Sequence, residues 1–236
     1  GLYALYENGY ITICKGEWKM RVTKAVNVPL TFDGRAAFMI QNVLPAVLTG
    51  FVRGFSIEDI KASIESFIPS PAQTPGRLNL FSFKDFQIML DYAHNAAGLR
   101  ALQKLVEKMD GMPKVGIIAG IGDRREEDNN EIGRVAAQMF DEIIIRQDKH
   151  LRGKTSEELI EMIYDGIKSV DPKKKVTIIP SEKEAITYAI KNATKGSLII
   201  LSSDVVPDAL NLVMKFKEEE SNQLYKITKN DIPNLV

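Results

Sequence analysis

One cysteine, two histidines and one tryptophan are all that 236 residues carry of these types. The single Cys14 excludes an internal disulfide and fits a reducing compartment, so a cytoplasmic protein is expected. The histidines, at 94 and 150, come with no cysteine pair and make no metal-ligand set. Surplus charge is missing too: 31 basic residues face 31 acidic ones. The basic residues are scattered and no aromatics alternate with them, which argues against nucleic acid and against an anionic membrane surface as partners. No apolar run approaches the length of a membrane span, and no signal peptide opens the chain. There is no Gly-x-Ser-x-Gly nucleophile turn, and there are no internal repeats or low-complexity tracts.

What remains is ordinary globular composition, 44% hydrophobic and 26% charged, in a length suited to roughly one and a half to two domains. The chain starts at Gly1-Leu2-Tyr3, runs straight into strand-like sequence and has no initiator Met, so it reads as a piece of something longer. Residues 1–31 alternate and are β-rich, with a Lys15-Gly16 turn between Tyr10–Cys14 and Trp18–Val28. Phe38 to Phe51 reads as a buried helix. Ser56 caps a second helix that places Ile57, Ile60 and Ile64 on one face. The stretch Pro69-Ser70-Pro71-Ala72-Gln73-Thr74-Pro75-Gly76 neither continues a helix nor fills a central strand, so it is read as a linker.

From residue 80 the pattern becomes regular βα alternation. Strands are expected at Phe86–Leu90, Val115–Ala119, Glu142–Ile145, Val176–Ile179 and Ser197–Leu201. One helix between them carries Leu99, Leu102, Val106 and Met109; another carries Leu159, Ile163, Ile167 and Val170. Thr155 with Glu158, and Ser181 with Glu184, read as capping boxes. Short apolar strands separated by helices predict an α/β fold, a Rossmann-like parallel sheet with helices on both faces. A smaller α+β segment precedes it. The expected organisation is therefore residues 1–70, a linker at 71–79, and the Rossmann-like domain at 80–236, with a weakly patterned tail after Asn222 that is either a last strand or a loose end.

In an open parallel sheet the functional crevice lies beyond the carboxyl ends of the strands. Those ends carry Asp91, His94 and Asn95, then Asp123, Arg124 and Arg125, then Asp148, Arg152 and Lys154, then Ser202, Ser203 and Asp204. Taken singly, Asp91 reads equally well as a helix cap, and the Arg124–Asp128 run as a solvated loop. Arg152-Gly153-Lys154-Thr155 ends like a phosphate loop, but Asp148 stands where that loop needs its first Gly. Gly120-Ile121-Gly122 starts like a dinucleotide fingerprint, but Arg125 replaces the third Gly, which argues against hydride transfer.

Thr74-Pro75-Gly76-Arg77-Leu78-Asn79-Leu80-Phe81 and Asp91-Tyr92-Ala93-His94-Asn95 resemble the hinge and lid entrance of the Mur ligase superfamily. Pro29-Leu30-Thr31, Gly34-Arg35-Ala36 and Asn42 resemble the end of its central ATPase domain. Gly122-Asp123-Arg124-Arg125-Glu126-Glu127-Asp128, Phe140-Asp141 and Arg152-Gly153-Lys154 make the resemblance closest to the cyanophycin synthetase branch.

The resemblance implies an ATP-dependent ligase that activates a carboxylate as an acyl phosphate and joins an amino acid to it. In that branch, arginine is joined to aspartate side chains of polyaspartate. It further implies that Arg77, Asp91, His94 and Asn95 face ATP, that Asp148, Arg152, Asp123 and Arg124 face the amino acid, and that the Mg²⁺ ligands and phosphate loop lie upstream of Gly1. A fragment without them should be inactive alone. The implied partners are a small amino acid and a peptide or polymer carboxylate, and a homo-oligomer remains open. The alternative is a Mur-like module that binds nucleotide or a partner without catalysis.

Overall fold

The computed structural model describes residues 1–147 and 151–230, with side chains through Asn222. These residues form two compact units: Gly1–Ser70 with Ala101–Lys108, and Pro71–Arg100 with Met109 onward.

The first unit opens with a three-stranded antiparallel sheet, β1 (Leu2–Glu7), β2 (Tyr10–Lys15) and β3 (Trp18–Lys24), in the order β1-β2-β3. The β2–β3 turn falls at Gly16, whose φ of 62° is the left-handed value that a tight hairpin turn needs. Helices α1 (Ala37–Val52) and α2 (Ile57–Ser66) follow. Ser56 caps α2 by accepting from the Asp59 N–H at 3.0 Å. Ile11, Ile13, Val22, Val43, Val47 and Ile60 share one core, which joins sheet and helices.

The second unit is a six-stranded sheet. Its strands are β4 (Asn79–Ser82), β5 (Gln87–Asp91), β6 (Lys114–Ala119), β7 (Glu142–Arg146), β8 (Lys175–Ile178) and β9 (Leu198–Ser202), in the order β4-β5-β9-β6-β7-β8. All neighbours pair in parallel except β4, which runs antiparallel to β5 at the edge. The sheet is therefore mixed rather than wholly parallel. Helices α3 (Ala96–Val106, of which Ala101 onward is counted with the first unit), α4 (Glu126–Met139), α5 (Ser156–Val170), α6 (Glu182–Lys191) and α7 (Val206–Asn230) fill the connections.

Strand alternation divides the core between two faces. Ile88, Leu90, Ile117, Ile144, Ile199 and Leu201 pack with Ala185, Ile186, Ala209 and Val213 of α6 and α7. Met89, Ile118, Ile143, Ile145 and Ile200 point the other way and are equally buried. Thr155 and Glu158 form the reciprocal capping box expected at α5. At α6 only Ser181 accepts, from the Glu184 N–H at 3.3 Å. The tail differs from both readings of it: α7 continues to Asn230. Among the described residues no helix is long and apolar enough to cross a membrane.

Candidate functional site

The chain enters β9 from β8 and lands between β5 and β6, so the order of connections reverses there. Ligands bind beyond the carboxyl ends of strands at such a reversal. The second unit has a cavity of about 120 Å³ at this place. Its wall is supplied by the turns after β5, β6 and β9, together with Arg146 at the end of β7.

The turn after β5 is fixed from within. The Asn95 side chain accepts from the Gly98 N–H at 2.7 Å, which makes Asn95 the cap of α3. His94 Nδ1 lies 3.0 Å from the Tyr92 carbonyl. A carbonyl only accepts, so Nδ1 carries a proton and donates it to Tyr92. The Tyr92 ring is 4.7 Å from the His94 ring, and the Arg77 guanidinium carbon sits 5.1 Å from the Tyr92 centroid.

Asp91 does not cap α3. Its buried carboxylate accepts from the Leu78 N–H at 3.0 Å and from the Ala93 N–H. Burial raises its pKa above 3.8, against the opposing pull of these two N–H groups and of the Arg77 charge. The segment before β4 is stapled in the same way: Asn79 accepts from the Gly76 N–H at 2.7 Å and donates to the Thr74 carbonyl at 3.0 Å. Gly76 has φ 71°, and a Cβ there would lie 2.6 Å from Val206. The turn that presents Arg77 thus depends on a glycine, an asparagine and a buried carboxylate.

The turn after β6 is held by a residue that the sequence reading missed. Asn129, fully buried in α4, accepts from the Ile121 N–H at 2.9 Å and donates to the Ile121 carbonyl at 3.1 Å. Lys154 Nζ donates to the Gly122 and Arg124 carbonyls at 2.9 and 2.8 Å. A Cβ on Gly122 would fall 1.8 Å from the Leu151 carbonyl oxygen, so this glycine serves close backbone approach rather than a dinucleotide. Arg152 pairs with Asp123. Arg125 turns away to Asp128 at 2.8 Å.

The cavity thus gathers His94, Asn95, Asp123, Arg124 and Arg152. Arg77 and Asp91 are not part of its wall; Arg77 lies over the Tyr92 ring, and its charge is felt by Asp91. Asp148 lies outside the described residues. Arg146, Ser202, Ser203 and Asp204 add the remaining charged and hydroxyl groups of the lining. Arg146 escaped the sequence reading because that reading ended the strand at Ile145, one residue short of a buried charge. Among the described residues no group of three or more His, Cys, Asp or Glu could hold a metal ion. The wall carries both signs of charge around a small volume, which suits a compact zwitterion.

A family model described as "Mur ligase, glutamate ligase domain" matches residues 76–205. Cyanophycin synthetase from Crocosphaera subtropica is 42% identical over 90% of the chain, and the protein of that name from a Nostoc species is 38% identical over 99%. The chain spans about a quarter of their length, 24% and 26%. E. coli FolC solved in complex with ADP superposes with a TM-score of 0.65 at 16% identity, covering 92% of this chain and 47% of that one. Mycobacterium tuberculosis folylpolyglutamate synthase, solved with ADP and AMPPCP, gives 0.62 at 18% identity, covering 89% and 46%. With the reversal-point cavity, the glycine-dependent turn at Arg77 and a family match over more than half its length, the chain belongs to the Mur ligase family.

Proposed function

We propose that the chain is the end of the central domain and the lid of an ATP-dependent amide-forming ligase of the cyanophycin synthetase type, which joins arginine to aspartate side chains of a polyaspartate acceptor. The similarity to proteins named cyanophycin synthetase along nearly the whole chain carries this reading. The division of the site supports it. Arg77, exposed beside Tyr92 on a stapled turn, supplies a cation for nucleotide phosphate. Asp91 has lone pairs beyond the two taken by Leu78 and Ala93, and these accept from ribose hydroxyls. His94 and Asn95, in the cavity wall on its β5 side, border the nucleoside where it adjoins the amino acid.

The charged cavity receives the incoming amino acid, with Arg152 and Arg124 for its carboxylate and Asp123 for its cation. The bound acyl phosphate and amine meet where closing surfaces exclude water, so attack by the amine outruns hydrolysis. ATP supplies the phosphoryl group. The Mg²⁺ ligands and triphosphate cradle belong to other parts of the full-length protein.

Phosphate release from ATP by the full-length protein tests this. Release should require both arginine and a polyaspartate primer, and the 236-residue chain alone should show none. Nucleotide binding without any arginine-dependent release would favour the non-catalytic module instead.

A further inference from the structure

Among the described residues Arg146 is the most buried charge in the second unit, with a side chain only 4% exposed. Its guanidinium reaches three strand ends. Nη2 donates to Asp204 Oδ1 at 2.8 Å and to the Ser202 carbonyl at 3.0 Å, both in the turn after β9. Nε lies 3.0 Å from Glu182 Oε2, at the first residue of α6. Nη1 donates to the Gln147 carbonyl at 3.3 Å. The side chain also forms part of the cavity wall.

A buried ion triad is a weak source of stability, because removing the charges from water offsets most of their attraction. Its location has a more specific consequence. The turn that Arg146 grips carries the hydroxyls of Ser202 and Ser203, both buried and without a hydrogen-bond partner, and the Asp204 carboxylate, all three on the cavity wall. Unpartnered buried hydroxyls at a cavity are groups whose partner arrives with a ligand. Only a planar fork can bind the carbonyl and the carboxylate of one turn together while meeting a second carboxylate.

We propose that Arg146 is a positioning residue: by tying the Ser202–Asp204 turn to the start of α6, it holds the two hydroxyls and the Asp204 carboxylate where they read the polar groups of the incoming amino acid. This rests on the ligase reading above. Arg146 acts through the turn and not on the reacting atoms, and the Asp91 end of β5 keeps its own ties to that turn through the Ser203 N–H at 3.1 Å, so loss of Arg146 weakens capture of the amino acid more than capture of the nucleotide.

The test compares Arg146→Lys, Arg146→Met and Asp204→Asn in the full-length protein, measuring KM for arginine, KM for ATP, kcat and melting temperature. Arg146→Lys keeps the charge without the fork, and should raise the arginine KM by about tenfold while the ATP KM stays within about twofold. Arg146→Met should exceed it, and Asp204→Asn should shift the arginine KM in the same direction. If Arg146→Met fails to fold, the other two variants decide. Lowered melting temperatures with an unchanged arginine KM, or equal rises in both KM values, would make Arg146 a structural residue and overturn the inference. Wild-type protein without arginine-dependent turnover would instead fail the ligase reading, and this inference with it.

Discussion

Asp91→Ala gives the sharpest separation of roles at the turn that presents Arg77. Leu78 is 2% exposed and has φ 50°, a left-handed conformation uncommon for a leucine. Its N–H donates to Asp91 Oδ2 at 3.0 Å, and alanine removes that acceptor. A buried donor left unsatisfied costs about 1–3 kcal/mol. In a chain of this size that lowers the melting temperature by roughly 2–12 °C. Asp91→Asn keeps an acceptor oxygen of the same shape and should cost much less.

The two variants also differ from wild type in their pH response. Burial raises the Asp91 pKa in the folded state above 3.8, so between its unfolded and folded values the native state holds the proton more tightly. Wild-type stability should therefore fall as pH rises through that window and stay lower above it. The difference between wild type and Asp91→Asn isolates this step, because other carboxylates cancel. Denaturant titrations between about pH 3 and pH 7, followed by near-ultraviolet circular dichroism, measure it. An Asp91→Ala protein as stable as wild type, or an Asp91→Asn protein as damaged as Asp91→Ala, would refute the assignment of this carboxylate to the Leu78 N–H.

Two further variants test the turn after β6. Gly122→Ala drives a methyl group into the Leu151 carbonyl oxygen and should destabilise by about 1–3 kcal/mol, read as a lowered denaturation midpoint. Asn129→Ala leaves the Ile121 N–H without its partner, the carbonyl keeping the Arg124 N–H at 3.2 Å, and should cost about 1–3 kcal/mol, with faster amide exchange at Ile121 as its local signature.

Much of the architecture was legible because buried parallel strands advertise themselves. Ile143, Ile144 and Ile145, or Leu198 to Leu201, are unbroken apolar runs that only a doubly covered sheet can use. Thr155 and Glu158 announced the start of α5 through side-chain chemistry that acts within one turn. Strand β4 was missed because its four residues form an edge pairing with β5, a long-range choice that local pattern does not encode.

The candidate site was legible as a set of strand ends, and eight of its members, His94, Asn95, Asp123, Arg124, Arg152, Ser202, Ser203 and Asp204, do meet in one cavity. The hydrogen-bonded roles inside it were not. Asn95, rather than Asp91, caps α3, and Asp91 serves a residue thirteen positions earlier in the chain. Asn129 follows directly on the charged run Arg124–Asp128, and Arg146 lies one residue past the apolar run that marks its strand, so local pattern singles out neither. Both are buried only because of what tertiary packing brings against them.

The central claim is amide formation, and the mass of the acceptor reports it directly. Full-length protein incubated with ATP, Mg²⁺, arginine and a polyaspartate primer should return primer molecules heavier by whole arginine residues, one amide bond each, with one ATP consumed per addition. Primer of unchanged mass, with ATP bound or hydrolysed regardless of arginine, would contradict the account.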